Sequence, residues 1–208
     1  MKKRCCLRAR FVVAFAGALL LAGCGRVHYP TSYLLNLPPP ALRTPPPDHA
    51  LGPLAIREFR CPGYLCEGRI VYRPSPEEVG YYEFHRWAIS PRETITQFIA
   101  DDLRVQSLFQ TVSLYERGVD AAYILSGNIE KLEEVDQGKD VRAVCTLFAQ
   151  LVNARTGSVV WSKTASESVA VEEGNMAGVV SGLSVAARAS VDRLVESIAT
   201  ELKSVTAQ

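Results

Sequence analysis

Val141-Arg142-Ala143-Val144-Cys145-Thr146-Leu147-Phe148-Ala149-Gln150-Leu151-Val152-Asn153 is the stretch from which the fold is read. Val141, Ala143, Cys145, Leu147, Ala149 and Leu151 place a small or apolar side chain at every second position, the period of a β-strand. The positions between them include Val144, Phe148 and Val152, so both sides are partly apolar. Such a strand is expected at the centre of a sheet with both faces covered. Working outward, Ala121 to Glu134 and Ser158 to Val171 read as its neighbours. Asp136-Gln137-Gly138 and Arg155-Thr156-Gly157 lie between them as turn signals, which predicts two hairpins and three antiparallel strands.

Two amphipathic helices bracket this unit. From Met176 to about Lys203 the apolar residues Met176, Val180, Leu183, Ala187, Val191, Leu194, Ile198 and Leu202 recur every three or four positions. Gly178 and Gly182 allow a close approach to the sheet while weakening the first turns. A shorter helix starts at Ser90. Ser90 and Glu93 form a capping-box pattern, Pro91 sits at the first helical position, and Ile95, Phe98, Ile99 and Leu103 mark one face as far as Ser107. Upstream, Thr31 to Leu37, Leu54 to Phe59, Arg69 to Arg73 and Tyr81 to Trp87 read as strands, the last two joined by residues 74–80. Val112 to Tyr115 is another short one. The expected fold is α+β: a mostly antiparallel mixed sheet with two amphipathic helices packed on one face.

The amino terminus has a different character. Lys2, Lys3, Arg4, Arg8 and Arg10 precede an uncharged run from Phe11 to Ala22, too short for a membrane-spanning helix and suited to a signal-peptide core. Leu21-Ala22-Gly23-Cys24 resembles the bacterial lipobox. That resemblance implies removal of residues 1–23 and acylation of Cys24, against the plainer alternative of an ordinary secretory signal with a chance cysteine. Residues 24–30 are then a lipidated tether and 31–208 a single α+β domain. Seven of the twelve prolines fall between Pro38 and Pro53, so residues 38–53 are read as an extended connector inside that domain. The apolar side chains of Tyr33, Leu34, Leu35 and Leu37 predict that the first strand docks on the body.

Charge and cysteines follow from that division. The whole chain has 23 basic and 22 acidic residues, and five of the basic ones precede Cys24. The mature chain therefore carries 18 against 22, a net −4, which argues against nucleic acid or a polybasic membrane patch as the main partner. Cys61, Cys66 and Cys145 remain after the lipid site. The Pro62-Gly63 turn predicts a Cys61–Cys66 disulfide, with two unpaired thiols in a loop as the alternative. Cys145, beside Val144 and Leu147, reads as a buried free thiol.

No catalytic constellation is visible, and neither a cofactor nor a metal is expected. There is no Gly-rich phosphate loop ending in Lys-Ser or Lys-Thr. His28 and His49 fall in the tether and connector, and none of the three histidines stands at zinc-ligand spacing from the cysteines. His85, in an aromatic strand, is read as a structural hydrogen-bonder. Glu133, Glu134, Asp136 and Asp140 lack the alternating pattern of a calcium loop and read as a solvated turn. The informative cluster is aromatic: Tyr64, Tyr72, Tyr81, Tyr82, Phe84 and Trp87 fall within 24 residues. Alternation sets Tyr81, Glu83, His85 and Trp87 on one side and Tyr82, Phe84 and Arg86 on the other. Tyr, Trp and Arg are frequent interface anchors, so Arg69, Tyr72, Arg73 and Tyr82 are candidates for a partner-docking surface, the alternative being core.

Several short blocks in order carry a family resemblance: Arg69-Ile70-Val71-Tyr72-Arg73-Pro74, Val79-Gly80-Tyr81-Tyr82, His85-Arg86-Trp87-Ala88 and Ser90-Pro91-Arg92-Glu93. Leu132-Glu133-Glu134-Val135, Leu151 to Gly157, Val160-Trp161-Ser162 and the early Tyr33-Leu34-Leu35 fit as well. Together they resemble the ABC-type transport auxiliary lipoproteins, relatives of the paraquat-inducible protein C lipoproteins. Cys61 and Cys66 depart from the family pattern. The resemblance implies a periplasm-facing, non-enzymatic partner of an ABC transport system for lipid or other hydrophobic cargo. Such systems use a substrate-binding protein with mammalian-cell-entry-type domains. Gly25, where an Asp would favour retention, points to outer-membrane sorting. A homo-oligomer is left open. The rival readings are an activator or scaffold of a cell-envelope enzyme, and a lipid carrier with its own cavity. The first needs a long tether, and the layered body suggests no obvious room for the second.

Overall fold

The computed structural model describes residues 28–41, 50–138, 140–172 and 174–206. The signal segment, Cys24, His49 and the middle of the proline-rich connector lie outside them. In chain order the elements are β1 (Thr31–Tyr33), β2 (Leu54–Ile56), α1 (Gly63–Cys66), β3 (Arg69–Ser75) and β4 (Glu78–Trp87). They continue with α2 (Pro91–Gln106), β5 (Val112–Leu114), β6 (Tyr123–Gln137), β7 (Asp140–Asn153), β8 (Val159–Ala170) and α3 (Met176–Thr206).

β7 lies between β6 and β8, antiparallel to both, as its alternation predicts. Ala143, Cys145, Leu147, Ala149 and Leu151 are fully buried beneath the helices. The opposite positions Val144, Phe148 and Val152 are only half-buried, so the strand is central in pairing but covered on one face. α3 supplies the cover. It buries Val180, Leu183, Ala187, Val191, Leu194 and Ile198, and Gly182 lets it close on the sheet, where a Cβ would stand 2.9 Å from that of Ala143. Its first turn is capped by Asn175, whose Oδ1 accepts from the Gly178 N–H at 2.9 Å. α2 packs beside α3 through Arg188, which pairs with buried Asp102 and lies over the Phe98 ring. The expected capping box on α2 is not made. Ser90 occupies the N-cap without a side-chain bond, and its carbonyl accepts from the Thr94 N–H instead. The helix ends at Ser107 in the left-handed conformation.

The other edge of β6 is shared. Its first residues pair in parallel with β2, which also pairs with β5, while Glu133, Glu134 and Val135 pair in parallel with β3. β4 and β1 continue from β3. The sheet therefore forks, and the chain crosses between the branches through a single bridge, Arg60 to Asn128, and the short helix α1. β1 docks as expected, but it is three residues long, and Leu34 is 54% exposed while Leu35 is buried. The loop expected at 74–80 shrinks to a tight turn, because β3 runs to Ser75 and β4 starts at Glu78.

Candidate partner-docking face

The branch built from β1, β4 and β3 holds all four residues singled out for docking. Gly80 faces Tyr72 across the β3–β4 pair, and a Cβ there would lie 2.2 Å from the Tyr72 ring. Only glycine lets that ring lie over the strand, where it meets Tyr82 at 4.9 Å between centroids. The Tyr82 hydroxyl donates to Glu134 at 2.7 Å. Burial, followed by the Glu134 contact, holds the Tyr82 phenol well above its usual pKa. Glu134 is also raised, because desolvation outweighs the hydrogen bond from Tyr82.

Arg73 is on the opposite face. Its Nε and Nη2 donate to the two oxygens of Glu133 at 2.8 and 2.9 Å. The Glu133 side chain is 0% exposed and that of Arg73 19%. The bidentate bond strengthens the guanidinium's hold on its proton, raising a pKa that is already high. Tyr64 of α1 lies beside this pair and is itself raised by burial. α1 is held over the strand by the Cys61–Cys66 disulfide, with 5.9 Å between the Cα atoms. Arg69 is the exposed member. It stacks on Tyr81 at 4.5 Å, pairs with Glu67 at 2.9 Å, and has 49% of its side chain in solvent.

Three expectations change here. Glu133 and Glu134 are not part of a solvated turn; they are buried anchors, because consecutive strand residues go to opposite faces and each finds a donor. Simple alternation in β4 fails. Arg69 pairs with Arg86 but Val71 with Tyr81, so β4 accommodates extra residues between those pairs. The irregularity brings Tyr82 and His85 to 5.9 Å, although alternation places them on opposite sides. His85 packs against Tyr33 at 5.6 Å, and its buried Nδ1 finds no hydrogen-bond partner among the described residues, so it is an aromatic packing residue rather than a structural hydrogen-bonder. Sequence reasoning did not single out Glu133 and Glu134 as partners of Arg73 and Tyr82. Two carboxylates between Leu132 and Val135 in a strand were the available signal.

Among the described residues no group of three or more His, Cys, Asp or Glu could hold a metal ion. No helix among them is long and apolar enough to cross a membrane. Cys145 is a buried free thiol, pushed up to about 12 by desolvation. An open apolar groove of about 580 Å³ runs between the segment after β1 and α3, lined by Tyr33, Pro38, Val180, Val185 and Ala189. This is room that the sequence did not suggest.

The family model described as the ABC-type transport auxiliary lipoprotein component matches residues 33–199, most of the chain. The chain belongs to this family. It is therefore an auxiliary lipoprotein component of an ABC-type transport system. In fold it is similar to protein XCC0632 from Xanthomonas campestris, with a TM-score of 0.71 at 18% identity, over 86% of this chain and 99% of that one. A second crystal structure, of an uncharacterized protein, is similar with a TM-score of 0.62 at 12% identity, over 82% and 99%. No curated protein sequence matches this auxiliary lipoprotein.

Proposed function

We propose that this auxiliary lipoprotein is anchored in the outer membrane through acylated Cys24 and faces the periplasm. There it serves as a non-enzymatic docking component of a mammalian-cell-entry-type lipid transport system. The observation that carries this reading is how the start of the body is strapped down. β1 pairs with β4, the Asn36 N–H donates to Ser184 at 3.0 Å, and Arg188 and Gln106 donate to the carbonyls of Pro38 and Ala41. Thr31 is then fixed on the body, and the seven residue steps back to Cys24 span at most about 25 Å. A body held that close to its membrane receives what a partner brings across. An enzyme activator would need to reach farther.

The docking surface is assigned to the β3–β4 branch, with Arg69 as the accessible contact, and with Tyr72, Arg73 and Tyr82 holding the strands that present it. The test is co-purification of the lipidated protein with the mammalian-cell-entry-type subunit from cross-linked membranes. Arg69→Glu should reduce capture several-fold without changing the melting temperature. Capture that is unaffected by Arg69→Glu would remove the assigned surface, and absence of any such partner would remove the function. Mass spectrometry of the mature terminus tests acylation of Cys24 separately.

A further inference from the structure

The fork in the sheet leaves a polar hollow on the face turned away from α2 and α3. Between the branches the chain runs on from β2 along β6. The Arg57 N–H donates to the Leu125 carbonyl at 2.9 Å, and the Arg60 N–H to that of Gly127, also at 2.9 Å. Three residue steps on this segment thus oppose two on β6, the count of a β-bulge. Without the extra residue Arg57 and Phe59 would share one face and Arg60 would take the other. With it, Phe59 turns into the core, where its N–H donates to the Thr96 hydroxyl at 2.9 Å. Arg57 and Arg60 then border one hollow of about 310 Å³, with Ser126, Asn128, Phe148 and Gln150 as its other walls.

Neither guanidinium meets a carboxylate among the described residues. Arg57 lies over the Tyr115 ring at 4.6 Å, which holds its plane and leaves its N–H edge open. Arg60 is exposed, and no ion pair or side-chain hydrogen bond among the described residues engages it. Gln150 Nε2 donates to Ser126 Oγ at 3.4 Å, so the Ser126 O–H is left to donate outward. Glu58, on the rim, is paired with Arg92 of α2 at 3.3 Å.

We propose that this hollow binds a phosphate ester, with Arg57 and Arg60 holding the phosphate oxygens and Ser126 and Asn128 adding neutral donors. Guanidinium forks match carboxylates and phosphates alike. A planar carboxylate is satisfied by one fork, whereas a tetrahedral phosphate spreads its oxygens so that two forks can each take an edge. Two unpaired forks on one hollow therefore favour phosphate. The volume is at the small end for a ligand site, which suits a headgroup-sized ester rather than a whole lipid. Glu58 at the rim opposes a longer polyanion and limits the ligand to a single phosphate. A phospholipid headgroup and a soluble ester share this chemistry.

The experiment is a titration of the full, isotope-labelled mature protein in maltoside micelles, read from the Nε–H resonances of Arg57 and Arg60. The probes are glycerol phosphate, phosphorylethanolamine and acetate. Both esters should saturate the shifts with a Kd of about 1 mM or tighter, and acetate should bind about tenfold more weakly or worse. Arg57→Gln and Arg60→Gln, each read from the arginine that remains, should weaken ester binding by about tenfold or more with unchanged melting curves. Lys163 of β8 is opposite Ala149, which faces the helices, so Lys163→Gln removes an equal charge from the other side of the sheet. That variant should leave ester binding within about twofold. Shifts that never saturate, acetate that binds as tightly as the esters, or binding indifferent to Arg60→Gln would overturn the proposal. Nanodiscs of phosphatidylethanolamine and phosphatidylglycerol separate the two sources. Resonances already shifted before any ester is added assign the site to a lipid headgroup, and resonances that move only on adding ester assign it to a soluble one. No transporter subunit is present, so failure of the docking function would leave this result untouched.

Discussion

The two ends of the sheet are stabilised by different means. At the β6–β8 end, long antiparallel strands bury small and branched side chains beneath a 31-residue helix. At the β1–β4–β3 end the strands are short or irregular, two pairings are parallel, and among the described residues no long helix lies over the Arg73 face. There the strands are held by a bidentate ion pair, a tyrosine–carboxylate bond, an aromatic pair seated on a glycine, and a disulfide. Apolar packing tolerates volume-conserving change. A buried charge pair fails completely when one member is lost. The branch assigned to docking is thus the one built from groups that specify geometry, while the other end supplies bulk stability.

Removing one half of the buried ion pair is the harshest way to break this contrast. Arg73→Ala should cost about 3–5 kcal/mol, because the fully buried Glu133 side chain loses its bidentate partner. Arg73→Met with Glu133→Leu should recover most of that loss, read as urea midpoints. At the other end Leu147→Ala should cost about 2–5 kcal/mol through the cavity it leaves. Conservative Leu147→Met should cost less than about 1.5 kcal/mol. If Leu147→Met proved as damaging as Arg73→Ala, the distinction between the two ends would fail.

Smaller effects sharpen it. Cys61→Ser with Cys66→Ser should remove about 2 kcal/mol, the loop-closure value for so short a ring, and lower the melting temperature by roughly 4–8 °C. Glu134 tests electrostatics alone. Its folded pKa lies above its unfolded value, so the folded state binds the extra proton. Stability should then fall as pH rises from the ordinary carboxylate range through the raised pKa. Glu134→Gln can still accept from Tyr82 and should flatten that decline in melts between pH 4 and 8. The Cys145 thiol should resist alkylation at pH 8 until the protein unfolds, since the raised pKa and complete burial leave almost no thiolate within reach.

Legibility from sequence divides along the same line. α3 lies where the spacing of Val180, Leu183, Ala187, Val191 and Leu194 puts it, because one helical period runs unbroken and dominates the local energetics. β6, β7 and β8 follow from alternation and two glycine-containing turns. The forked edge of β6 was not legible. Parallel pairing of β2 and β3 with one strand joins residues far apart in the chain, and no local pattern encodes which edge a three-residue strand will choose. The slip in β4 was also hidden, since an odd number of extra residues leaves composition unchanged while turning every following side chain over.

By itself the sequence determined the class of elements, the separate character of the first residues and the short spacing that puts Cys66 within disulfide reach of Cys61. All of these rest on interactions within a few residues of the chain. Tertiary structure alone decided that Arg73 and Tyr82 are engaged by Glu133 and Glu134, some 60 and 52 residues away. It alone decided that Tyr72 needs Gly80 beneath it and that, among the described residues, β8 pairs on one edge only. A charged or aromatic side chain does not announce its partner, because the cost of burying it is met by whichever group the folded chain brings alongside.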